Sequence, residues 1–289
     1  MIWRLANRGN VRRLMQWLRK DEWRHVALSS RLKGNGVKSM FGRMAGDRLW
    51  IREKNGKVGA ALFISRFGVV LPVFSDEHSD EATSDFLSAI ITSHRNRIYS
   101  VIGMEYSVME IERRMYRLPP DVQNYRMLVR DNSTVVQKSG MKNLVIRRVT
   151  PSDADALWPL EKAYQIEEVL RKGNYLNELS ARAHLINTLK EQEVYMATFD
   201  GLPIAKAGTN AQGIGYDQIG GVFVDAGFRN RGVAVCIVQQ LLQSIAKRGK
   251  KACLFVKDSN AAALRLYRNL GFQDRGTFRI SYWTYGVWE

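Results

Sequence analysis

Apolar and polar residues follow two rhythms along this chain of 289 residues, and each rhythm predicts a type of element. Short apolar runs flank an Asn-Gly dipeptide at 55–56 and an Asp-Gly dipeptide at 200–201. Both dipeptides favour two-residue hairpin turns, because they tolerate positive φ. The pattern predicts hairpins over 49–64 and 194–207, about half a chain length apart. A duplicated unit explains this spacing, although hairpins are common enough that coincidence stays an alternative.

Helical spacing is the second rhythm. Val11, Leu14, Met15 and Leu18 recur on one side of a segment whose other side carries arginines, which predicts an amphipathic helix. Thr150-Pro151 is typical of a helix start, with Thr as the N-cap. The second half continues as alternating elements, predicted as strand 217–225, helix 232–247, strand 252–256 and helix 260–270. Such alternation predicts an α/β (α+β) fold built on a mixed sheet.

The chain is too long for one hydrophobic core, so two domains are expected. Residues 131–143 are polar and short-chained, which is typical of a linker. We therefore predict an N-terminal domain over 1–130 and a C-terminal domain over 144–289.

Composition narrows the classes of protein. No apolar run reaches the eighteen residues of a membrane span, and the two cysteines form no zinc or disulfide pattern. These features predict a cytoplasmic protein without a metal site. The net charge is +16, and residues 1–60 hold 15 Lys and Arg against 4 Asp and Glu. This basic segment could attract nucleic acid or another polyanion, but no nucleic-acid-binding motif accompanies it, so a solvated basic face is the better interpretation.

Two segments of the C-terminal half carry chemistry. In the first, a predicted strand ends at Val224 and a helix begins near Gly232. A glycine at a helix N-terminus leaves backbone N–H groups open to an anion, and Arg229 and Arg231 would add charge beside a pyrophosphate. The second segment follows the next strand and begins at Asn260, which alone would be interpreted as a helix cap.

Together these segments resemble the GCN5-related N-acetyltransferase (GNAT) superfamily. Its Arg/Gln-x-x-Gly-x-Gly/Ala signature is met at Arg229, Gly232 and Ala234. Its second pattern is met by the residues Asn260, Ala263, Tyr267, Gly271 and Phe272. The resemblance covers residues 144–285, and the one departure is Ala226, where the family usually has proline.

The resemblance implies a mixed sheet whose fourth and fifth strands separate to admit acetyl-CoA as cosubstrate. Backbone groups of Phe223 and Val224 would then pair with the pantetheine arm, and Asn260 would contact the cofactor near the separation. The full set of implied cofactor-binding residues is Phe223, Val224, Arg229, Asn230, Arg231, Gly232, Val233, Ala234, Asn260, Ala263 and Tyr267.

Residues 1–130 resemble a second, degenerate copy. The segment that would hold its pyrophosphate loop, 75–81, has no glycine and four acids, which would repel a pyrophosphate. We therefore expect a tandem protein in which only the C-terminal half binds acetyl-CoA.

The chemistry that the resemblance implies is direct attack of a primary amine on the thioester. Tyr267 would act as general acid toward the departing thiolate, and a base must take the proton of the amine. Glu168 is our choice for that base, because apolar neighbours could turn it inward, and Asp217 is the alternative. The acceptor is a small-molecule or protein amine. The competing hypothesis is a catalytically inactive, acyl-CoA-responsive module that binds a polyanion through its basic N-terminal domain.

Overall fold

The computed structural model describes residues 2–33, 46–75, 81–131, 143–171 and 173–283, without the side chains of 81–84. These residues form two compact units. The first unit gathers the described residues up to Met127, with Phe255–Ser259 and the described residues from Asp274 onward. The second unit comprises the described residues of Leu128–Leu254 and Asn260–Gln273.

The first unit is a mixed sheet with helices packed on it. Its strands are β1 (Ile2–Leu5), β2 (Arg48–Lys54), β3 (Lys57–Ile64), β4 (Val69–Phe74), β5 (Ser100–Met104), most of β6 (Asp121–Arg130) and nearly all of β12 (Gln273–Tyr282). Its helices are α1 (Arg8–Leu18), α2 (Val26–Leu32), α3 (Glu81–His94) and α4 (Glu105–Glu112). The order is β1-β2-β3-β4-β5-β12, antiparallel except for the parallel pair β4/β5.

Alternation along the strands of the first unit builds a core on each face of the sheet. Leu62 packs with residues of α3 and α4, whereas its neighbour Phe63 packs with residues of α1 and α2. The predicted hairpin is confirmed, because Asn55 (φ 50°) and Gly56 (φ 75°) form the turn between β2 and β3. The predicted amphipathic helix is α1, whose buried face includes Leu14.

The second unit has the same design. Its strands are β7 (Leu144–Arg148), β8 (Val194–Phe199), β9 (Leu202–Gln212), β10 (Tyr216–Val224) and the first part of β11 (Lys251–Lys257). Its helices are α5 (Ala154–Tyr164), α6 (Glu178–Glu191), α7 (Val233–Lys247) and α8 (Ala261–Asn269). The order is β11-β10-β9-β8-β7, and β10/β11 is its parallel pair.

Local signals set the ends of these elements as predicted. Asp200 (φ 48°) and Gly201 (φ 82°) form the β8–β9 turn. Thr150 caps a short 3-10 turn, and the α-helix begins only at Ala154. Beyond Tyr164 the backbone widens into a π turn at Gln165–Val169.

The compact units differ from the contiguous domains predicted from the sequence. Although β12 lies in the C-terminal half of the chain, it clusters with the first unit because it pairs antiparallel with β5, with Ile280 opposite Ile102. Of the predicted linker only its first and last residues are described. The acidic segment proposed to replace a pyrophosphate loop also lies outside the described residues at 76–80, so that expectation stays a prediction.

None of the helices in the described ranges is both long and apolar enough to cross a membrane.

Candidate functional site

In the second unit, β10 and β11 separate after a short paired stretch. Parallel pairing joins Tyr216–Gln218 to Lys251–Cys253, while β10 runs on to Val224. Past Gln218, the backbone of β10 on that side is therefore available to a ligand rather than to a neighbouring strand. This is the divergence of the fourth and fifth strands of the domain that the resemblance implies.

The edge of β10 that pairs with β9 is irregular just past the point where β10 and β11 separate. Its register with β9 shifts between Gly220 and Phe223, so one extra residue bulges from β10. Gly221 lies in this bulge with φ +60°, a left-handed conformation that disfavours side chains. The bulge re-aims the backbone N–H and C=O groups beside the strand separation.

The loop after β10 is shaped for an anion. Asp225 accepts a 2.9 Å hydrogen bond from the Gly227 N–H and starts a 3-10 turn at Ala226, which supplies the rigidity expected of the missing proline. Asn230 (φ 59°) and Gly232 (φ 79°) are both left-handed. Gly232 is the N-cap of α7, and apart from its chain neighbours and the helix backbone no atom lies within 4 Å of where its Cβ would be. The first N–H groups of α7 have no partner within the helix, and the helix dipole adds partial positive charge there.

The two arginines of this loop are exposed, and they differ in their contacts. Arg229 donates to the Glu167 carboxylate at 2.8 Å and to the Val224 carbonyl at 3.0 Å. The Arg231 guanidinium lies 5.5 Å from the ring centroid of Phe228. Arg229 thus links the loop after β10 to the π turn, a contact that the sequence motif did not predict.

The second motif forms α8. Asn260 accepts a 3.0 Å hydrogen bond from the Ala263 N–H and caps the helix. At the other end, Gly271 (φ +83°) turns the chain, and the Phe272 N–H donates to the Tyr267 carbonyl at 3.0 Å. Both ends of α8 are fixed, which fixes the position of the Tyr267 ring.

Tyr267 is buried, and its environment favours the protonated phenol. Burial raises its pKa, and the charges of Tyr164 and Glu168 raise it further. Tyr164 behaves similarly: burial and the nearby Glu161 and Glu168 raise its pKa to about 12, although a hydrogen bond with the Gly221 backbone opposes this. The two tyrosines and Glu168 are thus neighbours.

The structure distinguishes the two adjacent acids of the π turn. Glu167 is exposed and paired with Arg229. Glu168 is half-buried, and its charge acts on both tyrosines. The sequence could not separate these two carboxylates, because their orientation depends on the widened turn.

Our sequence reasoning missed a buried ion pair beneath the bulge. Lys206 of β9 and Glu161 of α5 are each 5% exposed and are 2.8 Å apart. The Lys206 ammonium also lies 3.9 Å above the Tyr164 ring and 3.2 Å from where a Cβ of Gly221 would be. Burial opposes ionisation of Glu161, yet Lys206 and a hydrogen bond from Gln165 hold the pKa of that carboxyl below its usual value. The pair therefore packs directly against the bulge at Gly221.

Asp217, the alternative base, is fully buried at the paired end of β10. Arg248 and Lys250 contact its two carboxylate oxygens at 2.8 and 2.7 Å. It precedes the strand separation and is held by two cations, so the alternative of Asp217 as base is not supported. Its contacts are those of a buried structural ion pair.

The two cysteines both have structural surroundings. Cys253 is buried, and the Cys236 thiol donates to the Gly232 carbonyl at 3.2 Å. Within the described ranges, no group of three or more His, Cys, Asp or Glu side chains could hold a metal ion. The prediction that no metal is required stays a prediction.

Known proteins resemble both the motif region and the whole chain. The model of the FR47-like protein family matches residues 208–284. An uncharacterized N-acetyltransferase of Methanocaldococcus jannaschii is 26% identical over 144 residues, which are 47% of this chain and 63% of that protein. This chain thus spans less than two thirds of the length of that relative.

Solved structures extend the likeness to both halves. A tandem GNAT protein from the clavulanic acid biosynthesis pathway is 10% identical with a TM-score of 0.59, covering 99% of each chain. A GCN5-related N-acetyltransferase from Sphaerobacter thermophilus is 15% identical with a TM-score of 0.58, covering 99% of this chain and 96% of that one. Identities this low establish the fold alone. The chain therefore has the fold of the GCN5-related N-acetyltransferases in their tandem form, as the resemblance of its two motifs predicts.

Proposed function

We propose that this protein is an N-acetyltransferase that moves an acetyl group from acetyl-CoA to a primary amine. One observation carries the proposal: the separation of β10 from β11 opens beside a left-handed glycine at the N-terminus of α7. The first of these features admits an extended ligand between strands, and the second binds a pyrophosphate. The diverging edge of β10 and the N-terminus of α7 both belong to the second unit.

Acetyl-CoA supplies an acetyl group activated as a thioester. The backbone of Phe223 and Val224 would pair with its pantetheine arm at the strand separation. The loop from Arg229 to Ala234 would surround the pyrophosphate, for which Gly232 leaves the space that a side chain would fill. Arg231 would approach as a full charge, and Arg229 would have to share its guanidinium with Glu167. Asn260 and Ala263 would border the cofactor at the start of α8.

Two side chains would move protons. As the amine nitrogen bonds to the acetyl carbon, the carbon–sulfur bond breaks, and the departing thiolate needs a proton. Tyr267 would donate it, because burial and nearby negative charge raise the pKa of its phenol and keep it protonated at neutral pH. Glu168 would accept the proton of the amine, directly or through water, since its charge already acts on both tyrosines.

The first experiment is a calorimetric titration with acetyl-CoA, in which we expect one site per chain. Two sites would contradict the proposal that only the second unit binds it, and no binding to folded protein would refute the function. Turnover is then measured with a panel of amines, by the free thiol of CoA that the reaction releases.

Tyr267→Phe then tests the acid role. We expect kcat to fall at least tenfold while the acetyl-CoA affinity stays within about twofold. The matched control is Tyr195→Phe, because the buried Tyr195 hydroxyl donates to Glu193 at 3.1 Å and has no proposed part in the reaction. An unchanged kcat in Tyr267→Phe would remove the acid role.

A further inference from the structure

The bulge of β10 lies where the reacting end of the cofactor would be. The proposed pyrophosphate site is at the N-terminus of α7, and the pantetheine arm would pair with Val224 and Phe223. The arm would therefore run backwards along β10, toward the point where β10 and β11 separate. Gly221 lies in that direction, about 10 Å before Val224. The conformation of the bulge would then decide where the thioester carbon stands relative to the attacking amine.

A buried lysine lies against the bulge, in the space that a side chain of Gly221 would take. The Lys206 ammonium is 3.2 Å from where a Cβ of Gly221 would be. Lys206 also stands opposite Phe223 in the β9–β10 ladder, at the residue where regular pairing resumes after the bulge. Lysine ordinarily extends its ammonium group to water. Because Lys206 is only 5% exposed, other groups must hold its ammonium at the bulge.

The inward side of α5 provides those groups. The Glu161 carboxylate is 2.8 Å from the Lys206 ammonium, and the ring centroid of Tyr164 is 3.9 Å from it. Glu161 and Tyr164 are three positions apart and so share one side of the helix. The Gln165 amide donates to Glu161 at 2.7 Å and fixes the carboxylate in turn. Two side chains of one helix therefore fix the position of the ammonium.

Tyr164 connects this cluster to the bulge a second time. Its ring meets the Phe223 ring edge-on, with the centroids 6.2 Å apart, and it forms a hydrogen bond with the Gly221 backbone. Lys206 and Tyr164 thus contact each other, and both bear on Gly221. Displacement of the lysine would remove a contact from the glycine and from the tyrosine together.

We infer that Lys206 is a positioning residue for acetyl transfer, which together with Glu161 holds the β10 bulge in the conformation that presents the thioester to the amine. The inference rests on the proposed function and adds to it a residue that acts through the backbone of β10. An ion pair with a stabilising role alone would behave differently. Replacing both of its partners with neutral side chains would restore stability, and activity would return with it.

The test compares Lys206→Met with the double variant Lys206→Met/Glu161→Gln in the full-length protein. The single variant leaves the Glu161 charge buried without a cation, whereas the double variant removes both charges and regains stability. We expect kcat of the double variant to stay at least tenfold below that of the wild type. The Kd for CoA should stay within about twofold, because the proposed contacts of CoA lie further along the chain, from Phe223 to Ala234. A double variant with the kcat of the wild type would overturn the inference.

The matched control breaks another ion pair of the same unit. The Lys250 ammonium is 2.7 Å from the carboxylate of Asp217, which is fully buried where β10 still pairs with β11. Lys250→Met should therefore lose stability while the kcat of its folded fraction stays within about twofold of the wild type. An equal fall of kcat in this control would show that the effect is not specific to the bulge, and would overturn the assignment to Lys206.

Hydrogen exchange separates failure of the inference from failure of the function. Amide exchange measured by mass spectrometry on peptides covering residues 219–224 reports on the bulge without any turnover. We expect exchange in these peptides to rise at least tenfold in the double variant, while peptides from α7 keep the exchange of the wild type. Unchanged exchange at the bulge would overturn the inference even if the wild type acetylates amines. A wild type that binds acetyl-CoA without turnover would instead refute the transferase function, and the exchange result would still decide whether Lys206 holds the bulge.

Discussion

The buried pair of Lys206 and Glu161 gives the sharpest prediction about stability. Lys206→Met would leave the Glu161 carboxylate, which is 5% exposed, without its cation and with a 2.7 Å hydrogen bond from the neutral Gln165 amide. Removing one partner of a buried ion pair costs about 3–5 kcal/mol, because the other charge stays buried without compensation. We expect a loss of unfolding free energy in that range at pH 7.5.

Two further variants isolate the cause. Adding Glu161→Gln to Lys206→Met removes the stranded charge, so the double variant should regain at least about 2 kcal/mol over the single one. The control is Lys162→Met on α5, next to Glu161. The exposed ion pair of Lys162 with Glu178 should be worth at most about 1 kcal/mol. Urea unfolding followed by circular dichroism measures all four proteins.

The pH dependence provides a separate check. In the wild type the folded-state pKa of Glu161 is lowered, so the stability that it contributes is present above its unfolded pKa and is lost as pH falls. In Lys206→Met burial should instead raise that pKa, which destabilises the variant above the unfolded pKa. The difference between the two proteins should therefore begin to shrink as pH falls through the raised pKa of the variant, and it should shrink further below about 4.5, where the wild type loses its own contribution. This reasoning would be refuted if Lys206→Met lost less than about 1 kcal/mol of unfolding free energy at pH 7.5. It would also be refuted if the stability difference from wild type did not change with pH.

Three other substitutions have expected outcomes. Gly221→Ala would force a side chain into φ +60° in the bulge, and we expect at least a tenfold loss of kcat/KM with about 1 kcal/mol lost in urea unfolding. Asp217→Asn would remove the buried carboxylate that pairs with Lys250 and with the exposed Arg248, and it should cost about 1–3 kcal/mol, measured the same way, with the acetyl-CoA Kd of the folded protein unchanged. Burial lowers the pKa of His25 to about 4, so its contribution to stability is present above pH 6.5 and declines as pH falls toward 4. His25→Gln should flatten that decline, and a variant with the wild-type pH profile would contradict the assignment.

Local chemistry made much of the fold predictable. The Asn-Gly and Asp-Gly turns, the Thr150 cap and the glycine at the start of α7 each follow from the φ values or hydrogen bonds that those residues favour. The two motifs also carried the resemblance to the GCN5-related N-acetyltransferases, and that resemblance implied the strand separation. These features involve residues close together in the sequence, where intrinsic preferences dominate.

The buried support of the site was not predictable in this way. Lys206 lies between two alanines of β9, and a lysine in a strand is ordinarily exposed. Its burial depends on Glu161, which comes from a helix 45 positions earlier. The π turn likewise decides which of two adjacent glutamates turns toward the tyrosines. Neither non-local packing nor a widened turn has a signature in the local sequence.

The pairing of β12 with β5 also constrains how the chain can be made. Ile280 is synthesised 178 positions after Ile102, its partner. At about 5–20 residues per second, a ribosome needs about 10–35 s to supply the missing strand. During that interval β5 presents an unpaired edge to the cell, and such an edge invites pairing with other chains. The first part of the protein to be synthesised is therefore among the last to be completed, and protection of the nascent chain during this delay becomes a requirement for its yield.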